Sequence, residues 1–116
     1  METKTFIVPH DFTDVADNAL NHAIETAKPL KAQIFVMHVV SKEKNIKDAE
    51  VKLNKLLATK DPEVNLIAKV RVGNIFEDIG DFAAEHHAEL IFMGTHGTTG
   101  WQHITGSNAL KVVTNS

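Results

Sequence analysis

Apolar residues fall alternately into short runs and into helically spaced sets. Four runs predict β-strands, at residues 5–9, 33–39, 64–70 and 90–93. Three sets with a spacing of three to four positions predict helices, over residues 14–28, 42–59 and 74–87, and a last helix is expected from Ser107. Strands that alternate with helices imply a parallel sheet with right-handed crossovers. The predicted fold class is therefore α/β, doubly wound, as one domain over residues 1–116.

Polar residues and prolines mark the ends of these elements. Thr13 or Asp14 can cap the first helix, and Pro29 is expected to end it. Asn74 and Glu77 have the spacing of a capping box, although Asn replaces the usual Ser or Thr. The second strand is apolar on both faces, as central parallel strands are, whereas the partial alternation of the third suits an edge strand.

Composition and charge narrow the class of protein. The chain has 116 residues, a formal net charge of −3 and no cysteine. An acidic balance without a Lys/Arg cluster argues against a nucleic-acid partner, and the lack of cysteine excludes disulfide and thiolate chemistry. The first residues lack the layout of a signal peptide, and no apolar stretch approaches the roughly 20 residues that span a bilayer. We therefore expect a cytoplasmic protein without a membrane partner.

The segment after the fourth strand carries most of the chemical information. Glycines stand at positions 94, 97, 100 and 106, which are four of the six glycines in the chain, and Ser107 follows them. Glycines let the backbone approach an anion, and a helix N-terminus adds a partial positive charge. A strand, a glycine-rich loop and a helix start thus predict a phosphate or nucleotide site. The alternative is an ordinary flexible connection.

The expected topology indicates which loops face this segment. Ligands of doubly wound sheets bind beyond the carboxyl ends of the strands, where the strand order reverses. The loops after strands one, two and four are therefore the candidates. Pro9, His10 and Asp11 follow the first strand, and Val39 ends the second. If the first strand is central, Asp11 lies opposite the glycine-rich loop.

Three features together resemble the universal stress protein family, over essentially the whole chain. They are Asp11 after the first strand, His38-Val39 at the end of the second, and Gly-Thr-His-Gly followed by Gly-Ser within residues 94–107. The resemblance implies an adenine nucleotide alpha hydrolase-like fold and the binding of ATP, AMP or ADP, with Mg²⁺ or Mn²⁺ beside the phosphates. It implies a nucleoside side formed by Pro9, His10, Asp11 and Val39, and a phosphate side formed by Met93, Gly94, Gly97, Gly106, Ser107 and Asn108.

Two departures from the family pattern modify this expectation. Eight residues separate Gly97 from Gly106 where the family usually has nine, which changes the curvature of the cradle. The chain also stops at residues 111–116, about where a fifth strand normally begins. A four-stranded sheet in the order 3-2-1-4 would leave the fourth strand as an unpaired apolar edge.

A missing fifth strand leads to an expectation about assembly. We expect one domain of a longer tandem protein, forming a homodimer or larger assembly through the edge of the fourth strand. A truncated chain and a swapped dimer are the alternatives. The residues expected near the contact are Leu90, Ile91, Phe92 and Val112.

Several candidate residues have a purely structural alternative. Asp11 is also placed to cap the first helix. His38 lies within an apolar strand, so we expect hydrogen bonds to hold it and do not expect it to bind a ligand. His10, His96 and His103 could converge on zinc, but their spacing matches no compact metal motif, so no metal ligand is expected.

The pattern contains no evident catalyst. Asp11 and His96 are the only candidate bases, neither has an identifiable activating partner, and the Walker pattern is absent. We therefore expect at most slow ATP hydrolysis. The preferred interpretation is an adenine-nucleotide-binding stress-response module whose occupancy alters conformation or assembly. The alternative is a dimerisation or protein-interaction module of the same fold that does not bind nucleotide effectively.

Overall fold

The computed structural model describes residues 3–95 and 109–115. Within these ranges the elements follow one another as β1 (Thr5–Pro9), α1 (Asp14–Leu30), β2 (Gln33–Val40), a short 3-10 helix (Glu43–Asn45), α2 (Ile46–Leu57), β3 (Asn65–Val72), α3 (Ile75–Glu85), β4 (Leu90–Thr95) and β5 (Leu110–Asn115). The sheet is parallel and has the order β3-β2-β1-β4-β5. The predicted doubly wound α/β class is confirmed, with β2 inside the sheet and β3 at an edge.

Two apolar cores lie on opposite faces of the sheet. Alternate residues of β1 explain the division, because Phe6 and Val8 belong to one core and Ile7 to the other. The first core joins the strands to α1 and α2 through buried residues such as Leu20 and Leu53. The second joins them to α3, chiefly through Ile79, Phe82 and Ala83. Strands that are apolar on both faces are thus covered on both faces, as a parallel sheet requires.

The helix boundaries follow the predicted caps closely. The Thr13 hydroxyl accepts a hydrogen bond from the Ala16 N–H at 3.2 Å and caps α1. Pro29 does not end the helix but lies in its last turn, and the chain leaves the helix at Lys31, which is left-handed with φ 53°. None of the described helices is long and apolar enough to cross a membrane.

The C-terminal strand corrects two predictions. Residues 110–115 pair in parallel with β4, from Leu90 opposite Leu110 onward. The helix expected from Ser107 therefore does not extend through this segment, and the fifth strand is not missing. The β-branched residues Val112 and Val113 favour extended backbone, and β4 supplies a ladder of hydrogen-bonding partners that the sequence pattern does not reveal.

The fifth strand also removes the predicted contact surface. β4 is an inner strand, and Ile91 and Phe92 are 0% and 1% exposed. Association through an exposed edge of β4 is therefore wrong for this fold. The open edge on this side of the sheet is β5, where Leu110 is 70% exposed.

Candidate functional site

The sheet separates between β1 and β4 at its carboxyl end. β1 pairs with β2 as far as Pro9 opposite Met37, but its register with β4 covers only Phe6 with Leu90 and Ile7 with Ile91. α1 and α3 pack on opposite faces of the sheet on either side of this point. The strand order also reverses here, which is where doubly wound folds form a ligand crevice.

A cavity of ≈ 330 Å³ occupies this crevice. Its volume is near the lower end of the roughly 300–1,000 Å³ that is usual for small-molecule sites. Among the described residues, its wall is mostly apolar and contains one carboxylate and neither lysine nor arginine. The lining residues are Pro9, His10, Asp11, Ala16, His38, Val39, Ile75, Phe76, Met93 and Gly94.

All of the predicted nucleotide-binding residues that the structure describes meet at this cavity. Six of the ten line it, namely Pro9, His10, Asp11, Val39, Met93 and Gly94. The other four, Gly97, Gly106, Ser107 and Asn108, lie outside the described residues. His96 and His103, considered as zinc ligands, lie outside them too.

The sequence analysis missed four lining residues. Ala16, Ile75 and Phe76 belong to the first turns of α1 and α3, which begin at the carboxyl end of the sheet. The ligand site was expected in the loops after strands one, two and four. The start of the helix after strand three was therefore not among the predicted residues. His38 is held by a hydrogen bond, as predicted, because its Nδ1 lies 2.8 Å from the His10 carbonyl oxygen, but it also lines the cavity.

Asp11 stands at the rim with one carboxylate oxygen engaged. Its Oδ1 accepts hydrogen bonds from the Thr13 N–H at 3.2 Å and the Thr13 hydroxyl at 2.5 Å. Thr13, and not Asp11, caps α1. Asp11 instead holds the Thr13 side chain in its capping position. Burial alone would raise the pKa of Asp11, but the Thr13 hydrogen bonds outweigh it and hold that pKa below its ordinary value. The carboxylate is therefore ionised at neutral pH, and both of its hydrogen bonds from Thr13 fall on Oδ1.

His10 is buried beside Asp11, and both of its ring nitrogens are engaged. The side chain is 1% exposed. Its Nδ1 accepts the Phe12 N–H at 2.9 Å, and its Nε2 lies 3.2 Å from Asp17 Oδ1. Since Nδ1 accepts, the proton of the neutral ring is on Nε2, which donates to Asp17. Burial lowers the pKa of His10 by more than Asp17 raises it. The ring is therefore a neutral structural link and has no free nitrogen for a metal.

Phe12 has an unusual backbone conformation for an aromatic residue. Its φ is 67°, in the left-handed region that L-residues with large side chains rarely adopt. Its ring lies 5.7 Å from that of His10 and 4.7 Å from that of His38, measured between centroids. The Lys52 ammonium stands 4.2 Å from the centroid of the Phe12 ring. Residues in such conformations persist only where their surroundings hold them, often at functional sites.

Known proteins of similar sequence bear on the identity of this chain. It matches the model of the Universal stress protein family over residues 2–45 and 41–116. The chain belongs to the universal stress protein family. Universal stress protein MJ0531 of Methanocaldococcus jannaschii is 29% identical over 134 residues, covering 97% of this chain and 77% of that protein.

Solved structures of universal stress proteins share this fold. The universal stress protein from Archaeoglobus fulgidus in complex with dAMP superposes with a TM-score of 0.80, at 20% identity and with 97% of each chain covered. A universal stress protein in complex with cAMP gives a TM-score of 0.74 at 15% identity, covering 99% of this chain and 98% of that one. At these identities the likeness supports the fold of the domain.

Gly94 is required by packing in this universal stress protein fold. A Cβ atom at this position would lie 2.7 Å from Val15 Cγ1 and still closer to the Val15 backbone carbonyl. Glycine therefore lets β4 pass under the first turn of α1, at the edge of the cavity. The sequence analysis explained Gly94 by phosphate binding, and helix–strand packing is a second, independent reason for it.

The described residues do not provide a metal site. No group of three or more His, Cys, Asp or Glu side chains converges within residues 3–95 and 109–115. Asp11 is the one carboxylate among the described residues lining the cavity. Asp11 alone does not fit a resident Mg²⁺ or Mn²⁺, which prefers several oxygen ligands.

Proposed function

We propose that this domain binds an adenine nucleotide in the cavity between β1 and β4, and that occupancy alters its conformation or assembly. One observation carries the proposal: an apolar crevice at the switch point has an ionised carboxylate, Asp11, fixed at its rim. Universal stress proteins of the same fold have structures in complex with dAMP and with cAMP, which supports a nucleotide as the ligand.

The character of the wall suggests how the nucleoside is held. Val39, Met93 and Phe76 offer apolar surface to a flat base. Both hydrogen bonds from Thr13 fall on Oδ1 of Asp11, so its second oxygen can accept hydrogen bonds from ribose hydroxyls. Pro9 and His10 also line the cavity.

The phosphates require groups beyond this wall. The described lining contains no lysine or arginine, so phosphate oxygens need backbone N–H groups. We assign that role to Gly94, Gly97, Gly106, Ser107 and Asn108. A Mg²⁺ or Mn²⁺ ion would be held mainly by the phosphates. His10 has both ring nitrogens engaged and Asp11 faces the proposed nucleoside side, so we expect no dedicated turnover and at most slow ATP hydrolysis.

Calorimetric titration with ATP and Mg²⁺, and separately with AMP, tests the proposal. We expect one nucleotide per chain, and affinity weakened about tenfold or more in Asp11→Ala, since loss of a hydrogen bond to a charged group costs 1.5–3 kcal/mol. Asp14→Ala is the matched control. It removes the same charge three residues further along the chain, and the Asp14 side chain does not line the cavity. The absence of saturable heat from folded protein at millimolar nucleotide would refute the proposal, as would equal loss in both variants.

Self-association is a second candidate function, favoured by the open edge at β5. Leu110 is 70% exposed there, whereas β3, at the opposite edge, exposes the charged residue Lys69. Charged edges resist pairing and apolar ones invite it. We expect light scattering to show a homodimer that Leu110→Lys converts to monomer. A wild-type chain that stays monomeric at high concentration would exclude this function.

A further inference from the structure

The β1–α1 loop (residues 10–13) contains a polar arrangement that nucleotide binding does not by itself require. The imidazole of His10 joins two parts of the fold, with the Phe12 backbone on Nδ1 and the Asp17 carboxylate on Nε2. Asp17 Oδ2 in turn accepts from the Lys60 ammonium at 2.8 Å, and Lys60 also reaches Asn21 Oδ1 at 3.0 Å. We call this the His10–Asp17–Lys60 network.

We propose that His10 is the positioning residue of the cavity: its neutral imidazole holds the Phe12 backbone in the left-handed conformation that places Asp11 at the rim, and protonation of the ring releases the loop. The regulatory part of this inference, a nucleotide affinity that falls in acid, rests on the proposed function. The positioning part concerns the protein alone.

The Nδ1 hydrogen bond explains how Phe12 keeps its conformation. A side-chain acceptor that receives the N–H two residues later closes a local turn, as Asn and Asp side chains do. Here His10 supplies that acceptor from inside the protein, so the Phe12 N–H is satisfied at φ 67°. Asp11 lies between the two residues that this hydrogen bond joins, and its own bonds to Thr13 complete the turn.

The Nε2 hydrogen bond fixes the ring so that Nδ1 can accept. Burial would raise the pKa of Asp17, but hydrogen bonds from Lys60 and His10 outweigh it and hold that pKa below its ordinary value. Asp17 is consequently an anion that requires a proton on Nε2 of His10. The carboxylate thus selects the tautomer whose Nδ1 is free of a proton, in the manner of other carboxylate–histidine pairs.

Protonation of His10 would replace this acceptor with a donor. The Nδ1–H of an imidazolium would face the Phe12 N–H, so the hydrogen bond would be lost and the two groups would repel each other. Charged groups from each packed element affect the titration. Asp17 and Asp11 in α1 and the β1–α1 loop favour the imidazolium, Lys60 after α2 opposes it, and burial opposes it most. On β2, His38 contacts the carbonyl oxygen of His10.

Two substitutions separate the two nitrogens. In His10→Asn, the amide oxygen occupies roughly the position of Nδ1 and can still accept the Phe12 N–H, as in an Asx turn. In His10→Gln, the amide nitrogen can reach Asp17 in place of Nε2, but no acceptor remains at the position of Nδ1 for the Phe12 N–H. Nuclear magnetic resonance of the nucleotide-free chain then measures the chemical shifts of the Asp11 and Phe12 amides across a pH titration.

The positioning role predicts distinct results for the three proteins. In the wild type, the Phe12 and Asp11 amide signals move with the His10 ring signals as the pH falls. In His10→Asn they stay near their neutral-pH positions without that titration, and in His10→Gln they are displaced at every pH. Wild-type amides that ignore ring protonation would overturn the proposal even if a variant failed to fold. Equal displacement in both variants would overturn it as well.

Nucleotide titration of the same proteins tests the regulatory part. We expect affinity to be about tenfold weaker in His10→Gln than in His10→Asn, because only the asparagine keeps an acceptor for the Phe12 N–H. As the pH falls below 6.5 and through the lower folded pKa of His10, wild-type affinity should fall relative to that of His10→Asn, a ratio that cancels the titration of the ligand itself. If the wild type does not bind nucleotide, the proposed function fails while the amide titration still decides the positioning role. A constant ratio would refute the regulatory part.

Discussion

Two loops at the carboxyl end of the sheet each contain a residue with a positive backbone φ, and they stabilise it in different ways. The β1–α1 loop and the β3–α3 loop (residues 73–74) each end a parallel strand and begin a helix whose first turn lines the cavity. The β3–α3 loop uses Gly73, with φ 148°, followed by Asn74, which caps α3 by accepting from the Phe76 and Glu77 N–H groups at 2.9 and 3.3 Å. Glycine adopts this backbone at no steric cost, and a local cap completes the turn.

The β1–α1 loop places a phenylalanine where a glycine would be easier. Phe12 takes a positive φ, and a buried histidine and an ion pair hold it there. Conformational strain that distant residues stabilise is typical of functional sites, whereas strain relieved by glycine is typical of simple connections. The difference indicates that the β1–α1 loop is built to hold Asp11 in place, and that the β3–α3 loop only turns the chain.

The largest effect is expected when the buried link is removed. His10→Ala leaves the Phe12 N–H without its acceptor and creates a cavity, so we expect the free energy of unfolding to fall by about 2–4 kcal/mol. Chemical denaturation measures this loss. A decrease below about 1 kcal/mol would mean that His10 stabilises the β1–α1 loop no more than a local cap stabilises the β3–α3 loop. It would contradict the difference drawn between the two loops.

A smaller loss is expected at the glycine of the other loop. Gly73→Ala places a side chain at φ 148°, and the added Cβ would lie 3.3 Å from Asp78 Cγ and closer to one carboxylate oxygen. We expect a loss of about 1–3 kcal/mol in the free energy of unfolding. Adding Asp78→Ala should restore only the part due to contact, because the backbone strain remains. Nucleotide affinity should not change, and a neutral Gly73→Ala would contradict the assigned backbone strain.

The cap of α3 should contribute less again. Asn74→Ala removes the acceptor for two N–H groups, and we expect it to lower the free energy of unfolding by about 1 kcal/mol. Asn74→Ser should recover most of this loss, since serine is also a good cap. Thermal unfolding of the three proteins measures the order. A loss as large as that of His10→Ala would show that the His10–Asp17–Lys60 network contributes no more to stability than a single helix cap.

The pH dependence of stability gives the smallest and most specific contrast. Burial lowers the pKa of His10 below its ordinary value of 6.5, so in that range the unfolded chain binds the proton more readily than the folded one. Wild-type stability should therefore decline as the pH falls below about 6.5 and through the lower folded pKa, by less than about 1.4 kcal/mol per pH unit. Denaturation of His10→Asn, which shares the other histidines, should lack this component. Parallel curves for the two proteins would contradict the shift.

The lowered pKa values of Asp11 and Asp17 act in a separate window. Their stabilisation is present above the ordinary value of 3.8 and is lost as the pH falls through their lower folded values. On acidification, the histidine contribution therefore begins to be lost at a higher pH than the carboxylate contributions.

Local patterns predicted the elements well where the chain decides its own conformation. The limits of β1, the cap at Thr13 and the cap at Asn74 follow from side chains next to the feature concerned. The fifth strand was predicted to be missing because the chain stops at residues 111–116, about where that strand normally begins. The pairing with β4 that forms it joins residues twenty positions apart, so no local pattern reveals it.

Only the part of the candidate site that follows from strand order could be predicted from the sequence. The rule for parallel sheets led to Pro9, Asp11 and Val39, because strand ends are visible in the sequence. The role of His10 was not visible, because its partner Asp17 lies one helical turn into α1 and Lys60 lies beyond α2. Hydrogen-bond networks of this kind depend on how helices pack, and helix packing leaves no spacing signature in the chain.

Nuclear magnetic resonance mapping with ATP and Mg²⁺ tests the central claim most directly, because it locates the ligand as well as detecting it. We expect saturable shifts that are largest at residues 10–12, at Val39 and at Met93–Gly94, with smaller shifts at Gly73. The same titration of Asp11→Ala should show little change at matched concentrations. Wild-type spectra without shifts at millimolar nucleotide, or with shifts confined to β5, would contradict a nucleotide site between β1 and β4.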